Sequence, residues 1–228
     1  MSYFVGLDVS QRTTAVCVVD ETGRRIWRGV CVTSPEVIER TIRECAGDMA
    51  CLGLETGPLT PWLVHALRER GLDVVCLDAR HARAALRLRI NKTDQNDAEG
   101  LAQVLGSGWH RPVHVKSFAA HRARALLGAR AQLKGMTTQL SNMIRGVLKT
   151  FGLGPGELCG LRFDRRVEVL IEDAPEVAVI VRPLLASWRQ LREQIAVFDK
   201  VVLRQVRSDP RCRLLMSVPG VGAITSLA

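Results

Sequence analysis

Three short apolar runs open the chain, and their spacing limits what it can fold into more than any other feature. Tyr3–Val9, Thr13–Val19 and Ile26–Val32 are separated by short polar breaks, the second containing the turn signal Asp20-Glu21-Thr22-Gly23. Runs this short with breaks this short read as strands joined by antiparallel hairpins. Ser34-Pro35 then opens a helix, with Ser34 as N-cap and Pro35 at the first helical position. Val37, Ile38, Ile42 and Cys45 give it an apolar face. Ala50–Leu54 reads as a buried strand, Pro61–Arg70 as a helix ended by Gly71, and Leu72–Leu77 as a further strand.

Three antiparallel strands followed by helix, strand, helix, strand make a mixed sheet, unlike the strict alternation of a doubly wound fold. The order is that of the ribonuclease H-like fold. Residues after Trp109-His110-Arg111-Pro112-Val113, read as the exit from this α/β domain, are almost all helical. Leu126, Leu133, Leu140 and Val147 recur every seven residues. Val177, Val181, Leu184, Trp188, Leu191, Ile195, Phe198 and Val202 follow in steps of four and three. These are coiled-coil registers, within one chain or between chains. Pro183 predicts a kink or a helix start, and Phe151–Gly156 breaks the two helical arms. Domain boundaries are therefore expected at residues 3–112, 116–208 and 211–228.

Charge separates the same two halves. The 228 residues carry 32 Lys and Arg against 23 Asp and Glu, a net of +9. Residues 1–110 hold 13 basic and 14 acidic side chains, and residues 111–228 hold 19 and 9. A neutral first half and a basic second half suit a polyanionic partner, or simply an arginine-rich solvated surface. Seven cysteines without a CxxC pair read as buried hydrophobes in a reduced cytoplasm. No apolar run is long enough to span a membrane. The N-terminus lacks the pattern of a secretory signal, so a cytoplasmic protein is expected.

Four acids occupy telling positions. Asp8 closes the first strand and Glu55 the fourth. Asp94 and Asp97 follow Thr93, a candidate helix cap, and their spacing puts them on one helix face. Singly, each has an ordinary reading as a turn residue, a cap or a partner of the helix dipole. Together they could supply the oxygen ligands that a hard cation such as Mg2+ prefers. Between strand and acid pair, Arg80, Arg83, Arg87, Arg89 and Lys92 crowd thirteen residues with His81. They form a solvated helix face or a grip on a phosphate backbone.

The motifs Gly6-Leu7-Asp8-Val9-Ser10, Leu54-Glu55-Thr56-Gly57 and Asn91-Lys92-Thr93-Asp94-Gln95-Asn96-Asp97-Ala98 resemble those of DEDD transposases of bacterial insertion sequences. The resemblance implies a RuvC-like N-terminal domain in which Asp8, Glu55, Asp94 and Asp97 bind metal, followed by an all-α helical or coiled-coil region. It implies Mg2+-dependent cleavage and exchange of DNA strands, a non-coding guide RNA as partner, and self-association. Met216-Ser217-Val218-Pro219-Gly220-Val221-Gly222 resembles the start of the family's C-terminal domain, with a helix–hairpin–helix-like turn. The family's nucleophilic serine lies beyond Ala228, so the chain reads as one that gathers metal and binds nucleic acid without completing recombination. Val221, Ile224 and Leu227 are then expected to lack packing partners. A structure-selective nuclease of the Holliday-junction resolvase type, a nucleic-acid-binding remnant, and a sugar kinase or actin-like ATPase remain as alternatives. The last would require a second domain and a second glycine-rich loop, and neither is present in the sequence.

Overall fold

A computed structural model describes residues 2–47, 50–86, 93–154, 156 and 160–228. Five strands build one sheet: β1 (Tyr3–Val9), β2 (Thr13–Val19), β3 (Arg25–Val32), β4 (Ala50–Glu55) and β5 (Asp73–Leu77). Their order is β3-β2-β1-β4-β5. β1, β2 and β3 pair antiparallel, while β4 runs parallel to β1 and β5 parallel to β4. This is the mixed sheet that the sequence predicts, in the ribonuclease H-like order.

Both hairpins are fixed locally. The amide of Ser10 donates to the Thr13 carbonyl at 3.0 Å, and the Ser10 hydroxyl donates to the same oxygen at 2.6 Å. At the second turn, the Asp20 carboxylate accepts from the hydroxyl and amide of Thr22 and the amide of Arg24. Gly23 there takes a φ of 79°, a conformation that favours glycine.

Alternation along the strands sends side chains to two different helical layers. Val5, Leu7, Leu52 and Leu54 point into a core with Ile38 and Ile42 of helix α1 (Pro35–Ala46) and Leu63, Val64 and Leu67 of helix α2 (Thr60–Glu69). Each such side chain, fully buried, contributes about 1.5–3 kcal/mol. The opposite face carries Ala15, Cys17 and Val19 against Ala98 and Ala102 of helix α4 (Asp94–Gly106). Helix α3 (Ala79–Leu86) follows β5 and packs on α4. Ser34 stands at the N-cap of α1, but its hydroxyl donates to the Glu36 carboxylate at 2.5 Å instead of accepting from a helix amide. Arg111–Val113 is no exit. The Val113 amide donates to the Cys76 carbonyl at 2.7 Å, and Pro112 bridges to Leu77, so this stretch extends the edge beside β5.

The chain divides into two compact units after Phe118. The second is wholly helical: α5 (Phe118–Thr150), α6 (Gly160–Glu172), α7 (Pro175–Ser208), α8 (Pro210–Met216) and α9 (Ala223–Leu227). Arg130 pairs with Asp199, and the Trp188 indole N–H donates to Ser141 at 2.8 Å, so α5 and α7 lie antiparallel. Phe163, Val167 and Ile171 of α6 complete a core with Ile144 and Leu148 of α5 and Val177, Val181, Leu185 and Trp188 of α7. The heptad seams thus pack inside this unit. α7 begins at Pro175 and continues through Pro183. The carbonyl that Pro183 leaves without a helical donor belongs to Val179, which is 76% exposed and open to water. At the other end, Ala223 and Leu227 pack against Val202, Val206 and Cys212, and Ser226 is buried. Leu227 therefore has the partners that the sequence withheld from it, while Ile224 stays exposed.

Candidate metal centre

Asp8 and Glu55 are placed by the register of two parallel strands. The last paired residues of β1 and β4 are Leu7 and Leu54, so the two acids are the next neighbours along those strands. Leu7 and Leu54 turn into the core beneath α1 and α2. Asp8 and Glu55 therefore belong to the opposite face, two residues on from the paired glycines Gly6 and Gly53. Both acids are half-buried. They line one cavity of about 480 Å³, with Gln11 from the β1–β2 turn and the loop Thr56–Thr60.

The loop after Glu55 is braced by a buried hydroxyl. Thr60 is 5% exposed; its Oγ1 donates to the Glu55 carbonyl at 2.8 Å and accepts from the Gly57 amide at 2.7 Å. The Thr56 amide donates to the Leu77 carbonyl, and the Thr56 hydroxyl accepts from the Ala79 amide at 3.3 Å. These bonds tie the end of β4 to the end of β5 and the start of α3. Sequence reasoning missed Gln11 and Thr60. The available signal for Thr60 was a hydroxyl residue directly before Pro61 at a helix start.

Helix α4 delivers the second pair of acids. Thr93 caps it as expected, its hydroxyl accepting from the Asn96 amide at 3.2 Å. Asp94 and Asp97 occupy the first turn, where their charge complements the helix dipole. The direction of α4 follows from its contacts: Ala98 and Ala102 lie against Gly6, and Gly106 against Phe4. The helix runs antiparallel to β1, with its first turn at the strand's C-terminal end. From Ala98 back to Asp94 is about 6 Å along the helix. From Gly6 to Asp8 is about 6.6 Å along the strand. The aspartates of α4 thus come to the same end of the same sheet face as Asp8 and Glu55.

The four acids share this end without being gathered. Asp94 and Asp97 do not line the cavity of Asp8 and Glu55. Among the described residues, no three His, Cys, Asp or Glu side chains stand close enough to hold a metal ion. The donor chemistry of Asp8 and Glu55 fits a hard divalent cation: two oxygen ligands, half-buried, at one cavity.

Of the predicted phosphate-gripping residues, Arg80 and Arg83 are exposed on α3 and line a shallow depression with Ala79 and Ala84. The amides of His81 and Arg80 donate to the Asp78 carboxylate, which caps α3 and is held below the usual carboxylate range by those bonds. Arg87, Arg89 and Lys92 lie outside the described residues. The described cysteines are free thiols, and burial pushes Cys51 up to about 11.

Two carboxylates thus end adjacent parallel strands of one mixed sheet, with two further acids in the first turn of the helix that crosses it. A family model for transposases of the DEDD, IS110 type matches residues 5–152, and the chain belongs to that family. It is 23% identical to the transposase for insertion sequence element IS1111A of Coxiella burnetii, over 98% of this chain and 61% of that protein. It is 31% identical to the putative transposase y4pF/y4sB of Sinorhizobium fredii, over 58% of this chain and 35% of that protein. A probable family 20 transposase of Pseudomonas aeruginosa is 29% identical over 60% of this chain and 42% of its own length. The chain thus spans about three-fifths or less of these relatives. Among solved structures it is similar to Thermus thermophilus RuvC, at 14% identity and a TM-score of 0.36, covering 49% of this chain and 99% of that one.

Proposed function

We propose that this chain supplies the metal-binding part of a DNA transposase of an insertion sequence, acting in cleavage and exchange of DNA strands. The observation that carries the reading is the Asp8–Glu55 pair, set side by side at the ends of β1 and β4 and sharing one cavity. Asp8, Glu55, Asp94 and Asp97 are the proposed ligands of Mg2+. When bound, Mg2+ would supply positive charge to the phosphodiester oxygens at the scissile bond.

The chain's own residues account for the rest. Gly6 and Gly53 let α4 close onto the sheet and set the level of its aspartates. Thr60 and Thr56 hold the Glu55 loop in position beside Asp8. Arg80 and Arg83, with Arg87, Arg89 and Lys92, would neutralise phosphates flanking the bond. The charge of the second half supports binding of DNA, and self-association is carried over from the family resemblance alone, since the seams of α5 and α7 are filled within the chain. A non-coding RNA that pairs with target and donor DNA is the partner suggested by the motifs around Asp8, Glu55 and Asp97.

The test is nicking of supercoiled plasmid by the chain, with water as the attacking group in place of the serine, in Mg2+ against EDTA, with D8N and E55Q alongside. Mg2+-dependent nicking that falls at least a hundredfold in both variants is expected. Nicking that persists in D8N or in EDTA would overturn the reading.

A further inference from the structure

The helical unit holds a second cavity, of about 510 Å³, between α5 and α7. Its lining is basic. Arg130, Lys134 and Arg145 come from α5 and Arg192 from α7, against one carboxylate, Asp199. Asp199 is engaged by Arg130, whose Nε lies 2.5 Å from it. Among the described residues, Lys134 and Arg192 have no carboxylate partner within salt-bridge distance, and both are exposed.

The wall is pre-formed. Trp188 is 2% exposed and Phe163 1%, with ring centroids 5.5 Å apart. The Arg192 guanidinium lies 4.8 Å over the Trp188 ring, and the Arg145 guanidinium 4.6 Å over Phe163. Ser141 accepts from the Trp188 indole N–H, which fixes that ring further. A guanidinium seated on a buried ring keeps its N–H fork in place and loses little freedom when it meets an oxyanion.

The cations are strung along a line. Residues 130, 134, 137, 141 and 145 fall on one face of α5, and residues 188, 192, 195 and 199 on the facing stripe of α7. Arg130 to Arg145 spans about 22 Å of helix. A single phosphate would touch one or two of these cations. A nucleic-acid strand presents a charge about every 3.4 Å along its axis and would meet the whole stripe.

We propose that the groove between α5 and α7 seats the phosphodiester backbone of a nucleic acid, with Lys134 and Arg192 as its principal phosphate contacts. This deepens the reading of the chain as part of a DNA recombinase and rests on it. Guanidinium forks pair bidentately with phosphate, and the stripe length selects a linear polyanion. The groove is a binding site apart from the acids of the first unit.

The experiment measures binding of a labelled single-stranded RNA and a labelled duplex DNA to the 228-residue chain across a salt series. K134A/R192A is expected to weaken binding at least tenfold at low salt. In a responding arm, it should lower the slope of log affinity on log salt by about 1.4 for the single strand or about 1.8 for the duplex. K134R/R192K should restore the slope, and a wild-type circular dichroism spectrum would show that the fold survives. Affinity and slope unchanged in both arms by K134A/R192A would overturn the proposal, as would absence of binding by wild type. Displacement of the oligonucleotide by inorganic phosphate at constant ionic strength would make the groove a small-anion seat instead. Equal displacement by polyglutamate of matched charge would make it an acidic-peptide seat. A groove that responds as expected, beside nicking indifferent to D8N, would leave this site standing and remove the recombinase reading. The converse result would remove the groove alone.

Discussion

A Cβ placed on Gly6 would lie 2.0 Å from the carbonyl oxygen of Ala98 and 2.4 Å from the amide nitrogen of Ala102. No side chain fits there, because both neighbours are main chain of α4. The paired Gly53 is also tight, its Cβ position 3.2 Å from the side chains of Leu105 and Leu77. Two facing glycines therefore form the seat of α4, and the seat sets where Asp94 and Asp97 stand relative to Asp8 and Glu55.

Gly6→Ala is expected to displace α4 and destabilise the first unit by about 1–3 kcal/mol or more, since main chain has to move. Gly128→Ala, in the middle of α5 with nothing within 4 Å of its Cβ position, should instead gain about 0.5–1 kcal/mol. Urea unfolding of the two variants, read against wild type, checks both signs. Equal effects would contradict the close approach at Gly6.

Thr60→Val removes the hydroxyl that joins the Glu55 carbonyl to the Gly57 amide and keeps the shape of the side chain. A loss of about 1–3 kcal/mol is expected for the two main-chain groups left without that partner. Thr60→Ser should recover most of it. Hydrogen exchange at the Gly57 amide gives the local readout: faster in Thr60→Val, near wild type in Thr60→Ser.

Acid should loosen the start of α3. The Asp78 carboxyl is held low by amide donors of His81 and Arg80. A carboxyl whose folded pKa lies below its unfolded value near 3.9 stabilises the fold above that value. The contribution fades as pH falls through the folded pKa. Asp78→Ala should therefore reduce stability at pH 6 and leave it nearly unchanged at the lowest pH where the chain still folds. Thermal melts of both proteins from pH 6 downward give the comparison, and parallel curves would contradict the capping role.

The strands and hairpins were legible because short apolar runs and the turns that join them lie close together in sequence. Asp8 and Glu55 were legible as strand-end acids, and Thr93 as a cap. The seat of α4 was not, since Gly6 and Ala98 meet across some ninety residues and a strand glycine alone does not say what approaches it. The heptads showed which α7 residues face inward, but Ile144 and Leu148, the large buried side chains of α5, lie beside the seam. A third helix, α6, packs there and widens the buried stripe. Ser34 had the right type for a cap, and the neighbouring Glu36 took its hydroxyl instead.

Asp8 and Glu55 are proposed to hold a divalent cation. Calorimetric titration of MgCl2 into the chain, at ionic strength fixed with NaCl, reads that binding. Wild type should bind Mg2+ saturably, D8N/E55Q should show no saturable heat, and D94N/D97N should weaken binding at least tenfold. Mg2+ binding by D8N/E55Q equal to that of wild type would contradict the account.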